Sequence, residues 1–229
     1  MKQLQLQPRL QLLAELIPPN SRLADVGTDH GYVPVYLIQC GLINAAIASD
    51  IGADPLQHAV NTATEYGVEG IDFRLCPGLD AIAPAECDTI LIAGMGGETI
   101  ITILENAPWT KQGEHLLILQ PMTKVELLRK WLADNGYTFT GERLVFDKDY
   151  LYPIMLVYGG VQPALSEAEQ YGGVMLDDDP LYGDYLDERI KKLTVAIDGL
   201  FRARREQQHT AAKELQCIRE TLQERRRKL

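Results

Sequence analysis

Cysteine is scarce and scattered in this chain. Its four residues, Cys40, Cys76, Cys87 and Cys217, stand far apart and match no CxxC or Cys/His ligand spacing. That excludes a disulfide framework and a zinc motif on spacing grounds, so free thiols and no metal are expected. Long apolar runs are missing too: LLIL and TILIAG fall far short of the roughly 18 residues that cross a bilayer. The N-terminal MKQLQLQPRLQLLAELIPP alternates leucine with glutamine and holds no unbroken apolar stretch, so no secretory signal is read and a cytoplasmic location is expected. With 46% apolar and 24% charged residues, neither disorder nor a fibrous class is indicated. The 229 residues suffice for one large domain, or for one of about 150 residues with an appendage.

Positive charge is also in short supply, with a net charge of -10, which argues against a nucleic-acid partner until the charge is mapped. Residues 180–229 hold 12 Lys and Arg against 8 Asp and Glu, leaving only 10 against 24 for residues 1–179. An acidic body with a basic, polyanion-seeking arm is one reading of that asymmetry. A solvated helical face is the other.

From Pro18 to Gly160 one grammar repeats: a short β-branched run, a turn with Gly or Asp, then ten or more residues of helical period. Strands are predicted at 22–27, 45–51, 71–76, 88–94 and 115–121, with helices near 31–40, 54–66, 97–106 and 124–135. Alternation of this kind implies a parallel sheet covered on both faces, an α/β doubly wound fold. Strands that are apolar nearly throughout agree with burial on both sides. After Gly136 the grammar changes, because YTFTGERLVFDKDYLYPIMLVYGG has two β-rich stretches and no helix between them, so an antiparallel pair is expected. That ending is usual for Rossmann-like methyltransferases, while dinucleotide dehydrogenases normally add another parallel unit. Pro163 to Pro180 reads as a linker or short helix. Beyond it Leu186, Ile190, Leu193, Ile197 and Leu200 form a heptad-like seam that lapses across RARREQQH and resumes at Ala211, Leu215, Ile218 and Leu222. Two helices folded back as an antiparallel coiled-coil hairpin are expected, with left-handed supercoiling.

The GxGxxG dinucleotide fingerprint is absent as well. LADVGTDHGYVP, residues 23–34, offers Gly27-x-x-x-Gly31, with Asp29 where the generic methyltransferase turn has another glycine. Glycines at a strand-to-helix turn expose backbone N–H groups and let a ligand approach the main chain. Asp50 ends the second strand, 23 residues after Gly27, where an acid can accept hydrogen bonds from both ribose hydroxyls. At the end of the fourth strand, IAGMGG brings three glycines and Met95 to the sheet edge where ligands sit in open α/β folds. A purely structural reading also stands for each: a tight βα turn at 27–31, and a helix start at GMGG.

GTDHGYVP, the strand end ASD, RLCPGL, IAGMGG and LQP, in this order and followed by a helical hairpin, resemble the bacterial tRNA (adenine-N1)-methyltransferases that modify adenine at position twenty-two. The resemblance runs from Arg9 to the C-terminus. It implies S-adenosyl-L-methionine as cofactor, tRNA as partner, a Rossmann-like class I methyltransferase domain over residues 1–160 and a tRNA-binding linker and hairpin over 161–229. Carried over by position, Asp25, Gly27, Gly31, Asp50 and Ile51 fall in the cofactor turn and ribose segment, Gly78 and Leu79 beside the cofactor's adenine, and Ala93, Gly94, Met95 and Gly96 near the transferable methyl. Asp29, His30, Tyr32 and Asn61 match the polar cluster on the substrate side, and Arg9 an Arg-Leu pair in the N-terminal helix. Cys76 and Pro77 depart from the polar pair that relatives carry before the Gly-Leu.

Chemistry accounts for such a cluster. Ring nitrogen 1 of neutral adenine carries a free lone pair, so attack on a sulfonium methyl needs no general base, only positioning and exclusion of water. Methylation leaves the base cationic, and a carboxylate near its amino group stabilises the developing charge. Asp29 is expected to accept from that amine, with His30 and Tyr32 orienting or stacking on the base. Arg202, Arg204, Arg205 and the RRRK run at 225–228 are expected to meet tRNA phosphates. A monomer or weak homodimer and no membrane contact are expected. Open alternatives are a methyltransferase for a small molecule or another RNA, a nicotinamide-dependent oxidoreductase, which the broken fingerprint disfavours, and a non-catalytic RNA-binding protein.

Overall fold

The computed structural model describes residues 2–202 and 206–229. Seven strands form one sheet in the order β3-β2-β1-β4-β5-β7-β6. β1 (Leu23–Val26), β2 (Ala46–Asp50), β3 (Ile71–Leu75), β4 (Thr89–Gly96) and β5 (Leu116–Thr123) are parallel, and β6 (Tyr137–Asp147) and β7 (Tyr150–Gly159) close the sheet as an antiparallel pair. The helices α1 (Pro8–Leu16), α2 (Tyr32–Gln39), α3 (Ala53–Tyr66), α4 (Gly97–Asn106) and α5 (Val125–Asp134) cover it. The expected α/β class and the antiparallel ending are therefore both present.

The side-chain alternation of a strand shows why the runs are apolar throughout. Ala24, Ile90, Leu117 and Leu119 face one core with Ile100, Leu104, Leu128 and Leu132. Their neighbours Leu23, Leu91 and Ile118 face the other, with Leu13, Val33 and Leu37. Successive residues thus serve opposite layers, and both need burial.

Because β1 lies between β2 and β4, the chain winds in opposite directions from it, opening a crevice at the carboxyl ends of those strands. β4 differs from expectation there. It continues to Gly96 instead of stopping at 94, through register irregularities between Ala93 and Met95 and between Met95 and Gly96. Gly94 has φ +80°, a left-handed conformation that glycine adopts without steric cost, and the resulting bulge bends the strand end over the crevice.

Past the sheet, α6 (Glu167–Gly172) begins at a capping box between Ser166 and Glu169. α7 (Tyr182–Arg202) and α8 (Glu206–Arg227) follow as the expected helix pair. Leu186, Leu193, Ile197, Ile218 and Leu222 are buried along the seam. On the second helix Ala212 is fully buried and Ala211 only partly so.

The foot of this hairpin is rooted in the sheet. Tyr182, Tyr185 and Leu186 pack with Leu144 of β6. Arg129 of α5 is fully buried, donates from Nε to Glu142 Oε1 at 2.8 Å, and also reaches Gln170 O at 2.9 Å and Tyr185 Oη at 3.1 Å. Glu142 Oε2 in turn accepts from the Val174 N–H at 2.9 Å. Burial pushes the Glu142 carboxyl up while the Arg129 guanidinium pulls it back; removing one partner of such a pair strands a charge, at about 3–5 kcal/mol. No helix among the described residues is long and apolar enough to cross a membrane.

Candidate functional site at the carboxyl edge of the sheet

The turn after β1 is held by main-chain bonds: the N–H groups of Gly27 and Thr28 both donate to Ser49 O of β2, at 2.8 and 3.0 Å, and Gly31 N–H donates to Thr28 O at 2.9 Å. A Cβ at Gly27 would fall 2.0 Å from Met95 Cε, and one at Gly31 2.9 Å from Ala59 Cβ of α3. Both glycines also have positive φ, +72° and +66°. The positive φ favours glycine at both positions, and at Gly31 the close Ala59 Cβ and backbone add to it, whereas the flexible Met95 end could move aside at Gly27.

Asp25 sits beneath the turn, 6% exposed, with Thr28 Oγ1 donating to its Oδ2 at 2.6 Å. Burial pushes its carboxyl up to about 6, the Thr28 hydroxyl opposes that, and the Asp50 charge adds to it. A buried acid poised near neutrality in a crevice marks a functional site. Asp29, at the tip, has φ +49°, a conformation that a non-glycine residue holds at a cost of roughly 1–3 kcal/mol. Its N–H donates to Asp50 Oδ2 at 3.3 Å, while Asp50 Oδ1 accepts from Gly52 N–H at 2.9 Å. Two backbone donors therefore orient the Asp50 carboxylate.

Two cavities meet at Gly27. One, of about 490 Å³, is lined by Asp50, Ile51, Gly78, Leu79 and Met95. The other, of about 530 Å³, is lined by Arg9, Asp25, Asp29, His30, Tyr32 and the Ala93–Gly94 strand end. The Met95 side chain, with its Cε against Gly27, lines the smaller of the two. Cys76 and Pro77 also line the smaller cavity. The Cys76 thiol points to Gly78 O at 3.8 Å.

His30 forms the middle of a three-ring stack, 5.1 Å from Tyr32 and 5.0 Å from His58, each pair within 8° of parallel. The sequence reading missed His58, because it lies 28 positions away on α3 and shares no motif with the turn. Gln120 was missed as well. Fully buried in β5, its Oε1 accepts from Gly94 N–H at 3.1 Å and from Arg9 Nη1 at 2.7 Å. A polar residue inside the apolar run LLILQP was the available signal.

Several predicted site residues stand apart. Gly31 and Gly96 shape the turn and the strand end and line neither cavity. Asn61 is exposed on α3 and accepts from Gln57 Nε2 at 3.1 Å, outside both cavities. Arg9 lines its cavity, yet its guanidinium is engaged by Gln120 and lies 3.7 Å from Asp147. Arg202 is exposed at the end of α7; Arg204 and Arg205 lie outside the described residues. In the RRRK run, Arg225 donates to Tyr182 Oη at 3.1 Å and Arg226 to Asp187 at 3.0 Å, so part of that charge is spent internally. Another groove, about 610 Å³ between α7 and the β5–β7 end, holds none of the predicted site residues.

A family described as a methyltransferase domain matches residues 6–155. The chain is 34% identical over 187 residues to the tRNA (adenine(22)-N(1))-methyltransferase of Bacillus subtilis, covering 81% of this chain and 76% of that protein. It is also similar to the crystal structure of the B. subtilis m1A22 tRNA methyltransferase TrmK, with TM-score 0.85, 29% identity and coverage of 97% and 99%. The structure of M. capricolum TrmK in complex with S-adenosyl-homocysteine aligns with TM-score 0.78 and 28% identity over 96% and 97% of the two chains.

Proposed function

The chain belongs to the tRNA (adenine(22)-N(1))-methyltransferase family, and on that premise we propose that its paired cavities perform S-adenosylmethionine-dependent methylation of ring nitrogen 1 of adenine 22 in tRNA. The observation that carries the reading is the junction at Gly27: an oriented ribose-type acid on one side, and an acid with two stacked rings on the other.

The residues fit the cofactor. Asp50, held by two N–H donors, accepts from the ribose hydroxyls, and Gly78 and Leu79 flank the adenine, with Cys76 offering no strong polar partner there. Asp25 and Gly27 receive the amino-acid end, the buried carboxylate facing its ammonium. S-adenosylmethionine supplies the electrophilic sulfonium methyl.

This chain's own work is orientation. Asp29 accepts from the exocyclic amine of the target base and stabilises the positive charge that grows on it, and His30 and Tyr32 hold the ring plane. Gly31 and Gly96 keep the turn and strand end in shape, and Ala93, Gly94 and Met95 border the reacting centre. Arg9 positions the Gly94 segment through Gln120. Residues 1–160 carry the chemistry. Residues 161–229 form the arm that holds tRNA, with Arg202 at the end of α7 meeting its phosphates and Arg204 and Arg205 assigned the same role from the sequence alone. We place the activity in the cytoplasm, exerted by a monomer or weak homodimer.

The test is incubation with methyl-labelled S-adenosylmethionine and tRNA, followed by nucleoside analysis. Label should appear as 1-methyladenosine and vanish when adenine 22 is replaced. Label in another nucleoside, or none, overturns the assignment.

A further inference from the structure

The geometry points to a binding site for a zinc-type divalent cation formed by Asp29, His30 and His58, whose occupation shuts off methyl transfer. The site stands on geometry; only its inhibitory consequence rests on the function proposed above.

Each of the three side chains offers one ligand atom, and these atoms all lie within 4.8 Å of one another. His30 Nε2 is 3.8 Å from Asp29 Oδ1. Donors at about 2.0–2.2 Å around one tetrahedral ion are separated by roughly 3–3.5 Å, so the trio must close by on the order of 1 Å. His30 and His58 lie parallel, so one ring must also turn to aim its in-plane lone pair at the ion; Asp29 and His58 are exposed and His30 half-exposed, which leaves room for both adjustments.

Their supports are not free. Asp29 is pinned in its left-handed conformation by the bond from its N–H to Asp50 Oδ2, and His30 is backed by the Tyr32 ring at 5.1 Å. Two imidazoles and one carboxylate suit zinc, cobalt or nickel. Magnesium and calcium prefer all-oxygen sets. Sequence spacing concealed the trio because two ligands are adjacent and the third comes from the next helix.

An ion here would occupy the Asp29 carboxylate and an imidazole that otherwise face the target base. The cavity lined by Asp50 and Gly78 contains none of these ligands except through the Asp29 backbone, so the contacts proposed for the cofactor's ribose and adenine should persist.

The experiment uses the full-length, chelator-stripped protein titrated with Co2+ and followed by visible absorption. One equivalent per chain with ligand-field bands is expected. Asp29→Asn and His58→Ala should each weaken binding more than about tenfold, since even outer-shell changes cost that much. Alanine on the exposed α3 surface favours the helix, so the His58 variant should fold. Absence of bands, or binding indifferent to His58→Ala, overturns the site. Zn2+ should inhibit wild-type methyl transfer, relative to its own metal-free rate, at concentrations that spare His58→Ala, and Mg2+ should not. Binding with undiminished transfer overturns the inhibition. Methyl transfer that appears only when the metal is added back overturns the inhibition, and a protein inactive both stripped and metal-loaded overturns the functional reading while leaving the site standing.

Discussion

Gln120 Oε1 accepts at once from Arg9 Nη1 at 2.7 Å and from Gly94 N–H at 3.1 Å. One buried acceptor therefore ties α1 to the Gly94 strand end, both of which line the same cavity. Gln120→Leu would leave both donors without a partner, at about 1–3 kcal/mol of stability. Thermal unfolding should show that loss together with a fall in kcat/KM, whereas Gln57→Leu, on the α3 surface, should change neither.

Asp29→Asn should lower kcat by about 10²-fold, the scale for removing one preorganised electrostatic partner, and leave S-adenosylmethionine affinity nearly unchanged by calorimetry. Asparagine tolerates the left-handed backbone, so this variant separates charge from strain; Asp29→Ala adds roughly 1–2 kcal/mol of destabilisation. Equal losses in kcat and cofactor affinity would reassign Asp29 to the cofactor.

Asp25 makes binding and stability respond to pH in opposite directions. Its folded carboxyl titrates at about 6, above the ordinary 3.8, chiefly because of burial. Between those values the folded state binds more protons than the unfolded state. The favourable contribution is therefore full at low pH and lost as pH rises through about 6, a change of about 3 kcal/mol. Asp25→Asn should accordingly be more stable than wild type at pH 8 and gain little near pH 4. Cofactor affinity should run the other way, weakening below about pH 6 as the partner of the ammonium is neutralised, and this dependence should vanish in the variant. Urea titrations and calorimetry at both pH values check the pair.

Glu142→Leu alone should cost about 3–5 kcal/mol by leaving Arg129 charged and buried, while Arg129→Met with Glu142→Leu should recover most of it. Urea unfolding midpoints decide this. A single variant with unchanged midpoint would show the pair to be dispensable.

Replacing Arg202, Arg204 and Arg205 by Glu should weaken tRNA binding and flatten its salt dependence by about 0.7–0.9 in the log–log slope for each phosphate left without its arginine. These substitutions are preferable to deleting residues 180–229, because that cut removes Tyr182, Tyr185 and Leu186 from the core. An unchanged slope would move the tRNA-binding surface elsewhere.

Sheet, helices and turn were legible because their periodicities are local: the predicted helix over 97–106 coincides with α4, and Gly27, Asp29 and Asp50 converge as their spacing implied. What escaped was nonlocal. A charge in mid-helix looks like a surface residue, yet Arg129 is fully buried because Glu142 and Tyr185 reach it from other elements. His58 looks like one more exposed helical residue until α3 packs Ala59 against Gly31 and brings the two imidazoles parallel. On α8 the buried alanine is Ala212 and not the expected Ala211, because the heptad spacing lapses across RARREQQH and no seam residue there fixes the phase of the second helix.

The Arg129–Glu142 knot fastens the base of the helical hairpin to the same sheet whose edge carries the turn at 27–31. In the tRNA-binding role proposed for it, an arm anchored so firmly would act as a ruler, selecting a nucleotide by how far along the tRNA it lies from the point of grip. Extending both helices by matched heptads would then move the mark on the ruler, and with it the base that arrives at Asp29.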